Sequence, residues 1–332
     1  MKYRTLGKTG LNVSEVGVGA WAFGGPFIVN GIQAGWAGQK DEDSVRVIQA
    51  AADAGINFID TADVYGLGHS EEIIGQAIRG RRDHWVIATK FGHAPFDKHR
   101  FKSAYDAANI RACCEASLKR LGVETIDLYQ LHGPADLGFE QETIETIRAL
   151  RKAGKIKHIG FSFYMQRELD AMLQATLPFE TIQVEFNLRW TYTRAHGIFE
   201  RARKENWGVI VKSPLHGSLL TGKHTAETQF GPDDLRGDPK GVAKHFSDRK
   251  KYLRNLEFVD KLRFLETPGR TLAQAALRYV LDEPAVSTII PGARRTEHLT
   301  PNAAAADLNP LTSEEHRRIA EVQAGYQTED GW

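Results

Sequence analysis

Cysteine is nearly missing from this chain: among 332 residues there are two, Cys113 and Cys114, and they are neighbours. Adjacent cysteines in a helical stretch build neither a disulfide framework nor a zinc site, so a reducing, cytoplasmic setting is expected. No apolar run of 18 residues occurs, which removes a membrane-spanning helix from consideration. The opening Met1-Lys2-Tyr3-Arg4-Thr5-Leu6-Gly7 has no apolar segment of a secretory leader, so a soluble protein is expected. An excess of one charge is also lacking: 43 basic and 42 acidic side chains, mixed along the chain, leave a net charge of +1. Without a basic stripe, nucleic acid is not an expected partner. No His/Cys spacing suits a metal, and no low-complexity linker or short repeat breaks the chain.

What is present is a regular alternation of short apolar runs and amphipathic segments. The runs fall at 16–19, 56–60, 85–90, 126–132, 156–162, 181–186, 208–213 and 287–292. Helical periodicity occupies 42–54, 70–79, 103–121, 140–153, 166–174, 194–206, 271–281 and 296–306, and a ninth segment covers 313–323. Ser70 before Glu71 and Glu72 has the chemistry of a helix cap with first-turn carboxylates, and Gly154 stops a helix whose last turn carries Arg151 and Lys152. Eight strands alternating with eight helices predict an α/β fold, a (β/α)8 TIM barrel, over 1–332 as a single domain with an extra C-terminal helix. An open doubly wound sheet is the competing fold. Ahead of the barrel, Tyr3-Arg4-Thr5-Leu6 and Leu11-Asn12-Val13-Ser14 flank Gly7-Lys8-Thr9-Gly10, a β-hairpin expected to plug the amino-terminal mouth. Two connections, 23–40 and 221–249, exceed what a βα joint needs and should overhang the site.

Gly17-Val18-Gly19-Ala20-Trp21-Ala22 fits a G-x-G-x-x-A dinucleotide fingerprint, but Phe23-Gly24-Gly25-Pro26 follows and cannot continue a helix. Without that helix the fingerprint has no positive end to offer a pyrophosphate, so a Rossmann reading is rejected. A more specific signal lies at three strand ends. One run ends on Asp60, with Tyr65 on the turn beyond it; the next ends on Lys90; a third ends on His132. Each residue alone reads as a cap or a solvated charge. Together, at the carboxyl ends of successive parallel strands, they mark the face where α/β barrels keep their chemistry, and the chain reads as an enzyme.

This set in Ile59-Asp60-Thr61-Ala62-Asp63-Val64-Tyr65-Gly66, with Lys90 and His132, resembles the catalytic tetrad of the aldo-keto reductases. The similarity runs from Leu6-Gly7 to Asn302 and is greatest to the bacterial branch related to general-stress reductases and potassium-channel β subunits. It also takes in Gly160-Phe161-Ser162, the stretch from Gln183 to Asn187, the stretch from Ser213 through Lys223, and Ile290-Pro291-Gly292-Ala293-Arg294. The resemblance implies NADP (NADPH) as cofactor and a small carbonyl compound or sugar as substrate. It implies that Tyr65 donates a proton, Lys90 stabilises the phenolate, Asp60 holds Lys90, and His132 orients the carbonyl oxygen.

The same resemblance assigns the cofactor site. Gly19 and Trp21 belong to it at the first strand. Ser162 and Gln183 would hold the carboxamide and Phe186 would stack on the nicotinamide. Ser213, Pro214, Leu215, Gly217, Leu219 and Lys223 would wrap the pyrophosphate, and Gly292, Arg294, Arg295, His298 and Asn302 would hold the adenosine end, with two guanidiniums for a 2′-phosphate. Three positions depart from the family pattern: Phe163 stands where Asn is frequent, Phe186 where Tyr is frequent, and Pro301 where Glu is frequent. Trp21, Phe23, Trp36, Phe91, Phe163 and Trp332 are candidate walls of an aromatic substrate pocket, and the 23–40 connection is the expected determinant of substrate choice. Reduction of aldehydes, ketones or aldoses is the leading reading. Oxidation of a sugar or polyol, or a slow cofactor-sensing regulatory subunit, are the alternatives. The sequence is silent on oligomeric state.

Overall fold

The computed structural model describes residues 1–29, 31–92, 105–133, 141–174, 178–241 and 243–326; the expected helix starts at 103 and 140, and Trp332, lie outside them. The chain opens with β1 (Tyr3–Thr5) and β2 (Asn12–Ser14), paired antiparallel as the hairpin expected. Then come β3 (Val18–Gly19), the small antiparallel pair β4 (Ile28–Val29) and β5 (Ile32–Gln33), α1 (Asp41–Asp53), β6 (Phe58–Asp60) and α2 (His69–Ala77). The alternation continues through β7 (Val86–Phe91), α3 (Ala107–Leu121), β8 (Ile126–His132), α4 (Gln141–Lys152), β9 (Ile156–Ser162), α5 (Gln166–Gln174) and β10 (Thr181–Glu185). It ends with α6 (Tyr192–Ala195), α7 (Ile198–Lys204), β11 (Gly208–Lys212), α8 (Lys244–Ser247), α9 (Arg249–Lys261), α10 (Leu272–Leu281), β12 (Val286–Ile289), α11 (Thr296–Ala304) and α12 (Ser313–Ala324).

β3 and β6 through β12 form one eight-stranded parallel sheet in chain order. Its two edges meet: Val16 bridges Ile289 and Gly19 bridges Gly292, with the Gly17 amide donating to the Ile289 carbonyl at 2.8 Å. The expected closed barrel, and not the open sheet, is the result. Side chains alternate across each strand, so one set fills the barrel and the other packs on the helices. Leu6 of the hairpin joins Val13, Phe58, Ala88, Leu128, Ile210 and Ile290 in a separate apolar cluster, as a plug requires.

Several local expectations change. The stretch 194–206 is broken at Gly197, whose φ of +67° no helix interior adopts, leaving α6 and α7. α9 lies beyond the expected polar connection; Asp248 caps it by accepting from the amides of Lys250 and Lys251. Ser70 is not a cap. α2 begins one residue earlier, and the buried Ser70 hydroxyl donates to the Ala20 carbonyl at 2.9 Å, tying the helix start to the loop after β3. A 3-10 turn, not an α-helix, follows Gly17-Val18-Gly19, as the rejection of the dinucleotide fingerprint required.

Candidate active site

Strand parity delivers the polar residues inward. Lys90 of β7 is in register with Gln130 of β8, His132 with Ser162 of β9, Ser162 with Gln183 of β10, and Glu185 with Lys212 of β11. The Lys90 ammonium is fully buried and donates to Asp60 Oδ1 at 2.5 Å, to the Thr61 carbonyl at 2.8 Å and to Tyr65 Oη at 3.4 Å. Asp60 Oδ2 accepts from Gln130 Nε2 at 2.9 Å and from Gln183 Nε2 at 2.7 Å. One carboxylate thus gathers side chains from three other strands. The His132 ring stands edge-on to Tyr65, centroids 5.9 Å apart. All four residues expected to carry chemistry converge on one spot.

Tyr65 is placed by a backbone docking. Gly66 has φ +60°, and a Cβ there would fall 2.2 Å from the Gly24 carbonyl oxygen; a Cβ on Gly24 would fall 2.5 Å from the Gly66 amide. Only glycine on both sides lets the turn carrying Tyr65 seat on the loop after β3. The phenol then stacks beside Trp21, centroids 5.9 Å apart, and Trp36 meets Trp21 edge-on at 5.9 Å.

Burial holds the Tyr65 phenol well above its ordinary pKa, and the carboxylates of Asp60 and Asp63 add to the rise. Burial pulls the Lys90 ammonium below its usual value, opposed by Asp60. In the free protein burial outweighs the neighbouring ammonium, and the phenol stays protonated. Asp63 lies beneath, its carboxyl pushed up to about 8 by burial and by Glu71, against the opposing charge of Arg120.

The residues expected around a cofactor separate into two groups. Ser162 and Gln183 line the mouth, with Ser162 Oγ donating to Gln183 Oε1 at 3.3 Å. Past β11 the chain winds through positive φ at Ser213, His216, Gly217, Ser218 and Gly222. Such left-handed backbone is costly outside glycine and gathers at ligand clamps. Here it leaves the amides of Gly217 and Ser218 without partners among the described residues. His298 feels the positive charges of Lys223, Arg295 and Arg294, and Arg236 stands near Arg294. Gly292 is exposed and faces open space, and the amide nitrogen of Asn302, a buried residue of α11, has no partner among the described residues. Unpartnered amides beside clustered cations are a donor set that suits a dinucleotide polyphosphate.

Two placements depart from expectation. Phe186 does not face the mouth. It follows the inward Glu185, so parity turns it outward, where it is fully buried against Tyr279 (5.5 Å) and Phe199 (5.0 Å) under the Arg194 guanidinium. Arg294 donates to the Ala37 carbonyl and to Gln39 Oε1, so its fork is engaged by the 23–40 connection. Of the aromatic candidates, Trp21 stacks on Tyr65 and Trp36 meets Trp21, whereas Phe23, Phe91 and Phe163 are buried in the core.

Three features were missed: Gln130, Lys212 and Arg236. The first two face inward near strand ends, the signal that singled out Lys90 and His132. Arg236 lies over the Trp36 ring at 4.8 Å and the Phe230 ring at 4.4 Å, and donates to Asp234 and Ser218. It joins the two long connections, which also meet through the Leu235 amide and Gly35 carbonyl at 3.0 Å and the Gln33 amide and Asp238 at 2.8 Å.

This geometry agrees with comparison to known proteins. The sequence profile of the Aldo/keto reductase family matches residues 15–324. The chain belongs to that family. The aldo-keto reductase YhdN of Bacillus subtilis is 36% identical over 302 residues, covering 90% of this chain and 87% of YhdN. Among solved structures, the glycerol dehydrogenase AKR11B4 of Gluconobacter oxydans superposes with a TM-score of 0.79 at 33% identity, covering 97% of this chain and 95% of that one. An aldo-keto reductase of Klebsiella pneumoniae, solved in complex with NADPH, gives 0.73 at 25% identity, covering 99% and 98%. As an aldo/keto reductase family member the protein is an oxidoreductase, and no helix among the described residues is long and apolar enough to cross a membrane.

Proposed function

We propose that the protein reduces aldehydes, ketones or aldoses to alcohols with NADPH, Tyr65 acting as general acid. The observation that carries this reading is the convergence of Tyr65 Oη, Lys90 Nζ and the His132 ring above Asp60. When bound, NADPH supplies the hydride. Ser162 and Gln183 would take its carboxamide, the Ser213–Lys223 winding its pyrophosphate, and Arg295 its 2′-phosphate. The residues do the rest. Tyr65 enters protonated, because burial and the Asp60 carboxylate keep the phenol from ionising at neutral pH. His132 donates to the substrate oxygen and fixes it near Tyr65 Oη. As the proton leaves Oη, the ammonium at 3.4 Å stabilises the phenolate, and the bond to Asp60 keeps that ammonium in place. Trp21 and Trp36 exclude water from one side.

The family profile and the NADPH complex of the Klebsiella relative support the cofactor choice. Resemblance to a glycerol dehydrogenase favours a second reading, polyol oxidation at the same site. A panel of aliphatic and aromatic aldehydes, ketones and aldoses, scored by NADPH and NADH consumption, with polyols and NADP+ run in reverse, decides between them. Turnover of carbonyls with NADPH is expected. Turnover of polyols alone favours the second reading, and tight NADPH binding without turnover in either direction favours a cofactor sensor.

A further inference from the structure

Lys212 closes β11 and has no part in the proton transfer above. Its side chain is half-buried at the mouth, with Nζ donating to Ser162 Oγ at 3.1 Å and lying 3.5 Å from the centroid of the Tyr164 ring. It forms no ion pair among the described residues. Glu185, its register neighbour, is occupied with Asn187 Nδ2 and the His216 ring. The ammonium also ends a chain of contacts that crosses the mouth. Lys90 holds Asp60 at 2.5 Å, Gln183 donates to Asp60 at 2.7 Å, Ser162 donates to Gln183 at 3.3 Å, and Lys212 donates to Ser162 at 3.1 Å. A polar chain between two ammoniums, one paired and one unpaired, needs an explanation that packing does not give.

The proposed function gives Ser162 and Gln183 to the nicotinamide carboxamide, and this inference rests on that reading. One hydroxyl then separates Lys212 from the end of the cofactor whose charge changes in the reaction. The reduced ring is neutral and the oxidised ring is a cation. We propose that Lys212 sets the redox preference of the cofactor site, repelling the oxidised nicotinamide and so favouring NADPH over NADP+. In carbonyl reduction this hastens release of the oxidised cofactor; in the oxidative direction it weakens capture of NADP+.

Two unit charges about 5–7 Å apart at an effective dielectric of about 20 change an affinity ratio by about 10²-fold, and solvent access to a half-buried site reduces that to about tenfold. The charge is adjustable. Burial pulls Lys212 down to about 7, with Lys90 acting in the same direction and Glu185, Glu168 and Asp60 opposing. Glu185 faces it from β10, Lys90 from β7, Asp60 from β6 and Glu168 from α5, while Tyr164 presents its ring. Raising the pH through neutrality therefore discharges Lys212 and relieves the repulsion.

The test is direct titration of NADPH and NADP+ against wild type, Lys212→Met and Lys212→Arg, with no turnover required. Lys212→Met should bind NADP+ about tenfold more tightly relative to NADPH, and Lys212→Arg should keep the wild-type ratio. In wild type the NADPH/NADP+ preference should fall between about pH 6 and about pH 8.5, and in Lys212→Met it should be flat. The 2′-phosphate titrates in both forms and cancels from the ratio. Wild type that binds neither form overturns the proposed function and this inference with it. Wild type that binds both, with a ratio unchanged in Lys212→Met, overturns the inference alone. An unchanged ratio with a raised KM only for carboxylate-bearing aldehydes also overturns it, assigning Lys212 to the substrate.

Discussion

Below the barrel mouth, Asp60 is held by Lys90, Gln130 and Gln183 on three other strands, whereas above it Arg236 is held by Trp36, Phe230, Asp234 and Ser218 on connections. The lower assembly is buried and its members are aimed by strand parity, so each has one available direction. The upper assembly is less completely buried, and its partners come from segments some two hundred residues apart in the chain. Under the proposed function, chemistry that tolerates little displacement would sit on the rigid part, and recognition that must admit and release ligands on the adjustable part. Changes below should therefore alter rate or global stability, and changes above should alter affinity and selectivity.

The largest effect should come from Tyr65→Phe, which removes the proton and little else. Turnover should fall by about 10²- to 10⁴-fold, with NADPH affinity and the unfolding midpoint unchanged. Near-normal turnover would remove Tyr65 from the mechanism and erase the contrast.

Asp63→Asn tests the lower assembly through stability. The Asp63 carboxyl is raised to about 8 in the folded protein, from an ordinary 3.8. Between those values the folded state holds a proton that the unfolded state has lost, so stability falls as pH rises through this window. Each pKa unit is worth about 1.4 kcal/mol, and allowing for relaxation Asp63→Asn should stabilise by roughly 2–3 kcal/mol near pH 8 and by little near pH 5. Urea midpoints of both proteins at the two pH values check this; parallel pH profiles would mean Asp63 is ionised in the fold.

Above the mouth, the two neighbouring arginines should separate. Arg295 is exposed, beside Asp43 and Arg46, and Arg294 is bound to the Ala37 carbonyl and Gln39. A charge-assisted contact contributes roughly 1.5–3 kcal/mol, so Arg295→Ala should weaken NADPH by about tenfold or more and leave NADH unchanged. Arg294→Ala should weaken both cofactors alike by loosening the connection. The reverse pattern would place the 2′-phosphate on Arg294.

Trp36→Ala should give the smallest effect, a several-fold change (about 1 kcal/mol) in the ratio of kcat/KM between bulky and small aldehydes, without loss of NADPH affinity. Trp36 reaches Tyr65 only through Trp21. A uniform loss across substrates, or a lowered melting temperature, would make it a packing residue.

The lower assembly was largely legible because strand period and strand-end chemistry are local signals. Asp60, Lys90 and His132 each close an apolar run, and the same rule applied to Lys212 and Gln130 would have found both. Parity also decides against Phe186 as a stacking residue: Gln183 faces inward, so a residue three positions later faces out. Apolar character alone does not show direction, and it misplaced Phe91 and Phe163 in the same way. The upper assembly was legible only as two long connections. That Arg236 should lie on Trp36, or that Arg294 should bind Ala37, depends on which segments the barrel closure brings together. The Gly24–Gly66 docking is likewise a contact between backbones with no side-chain signature.

The clasp between the two connections limits how this barrel can be remodelled. Gln33, Gly35 and Trp36 on one arm bind Asp238, Leu235 and Arg236 on the other, so neither length is a free variable. An insertion in one arm shifts the register of the clasp, and a deletion opens it. A designer who transplants substrate selectivity from a relative would have to move both arms as a matched pair, although 180 residues lie between them. Libraries that vary one arm alone would sample mostly broken clasps. The two connections are joined by a handshake between distant segments of the chain.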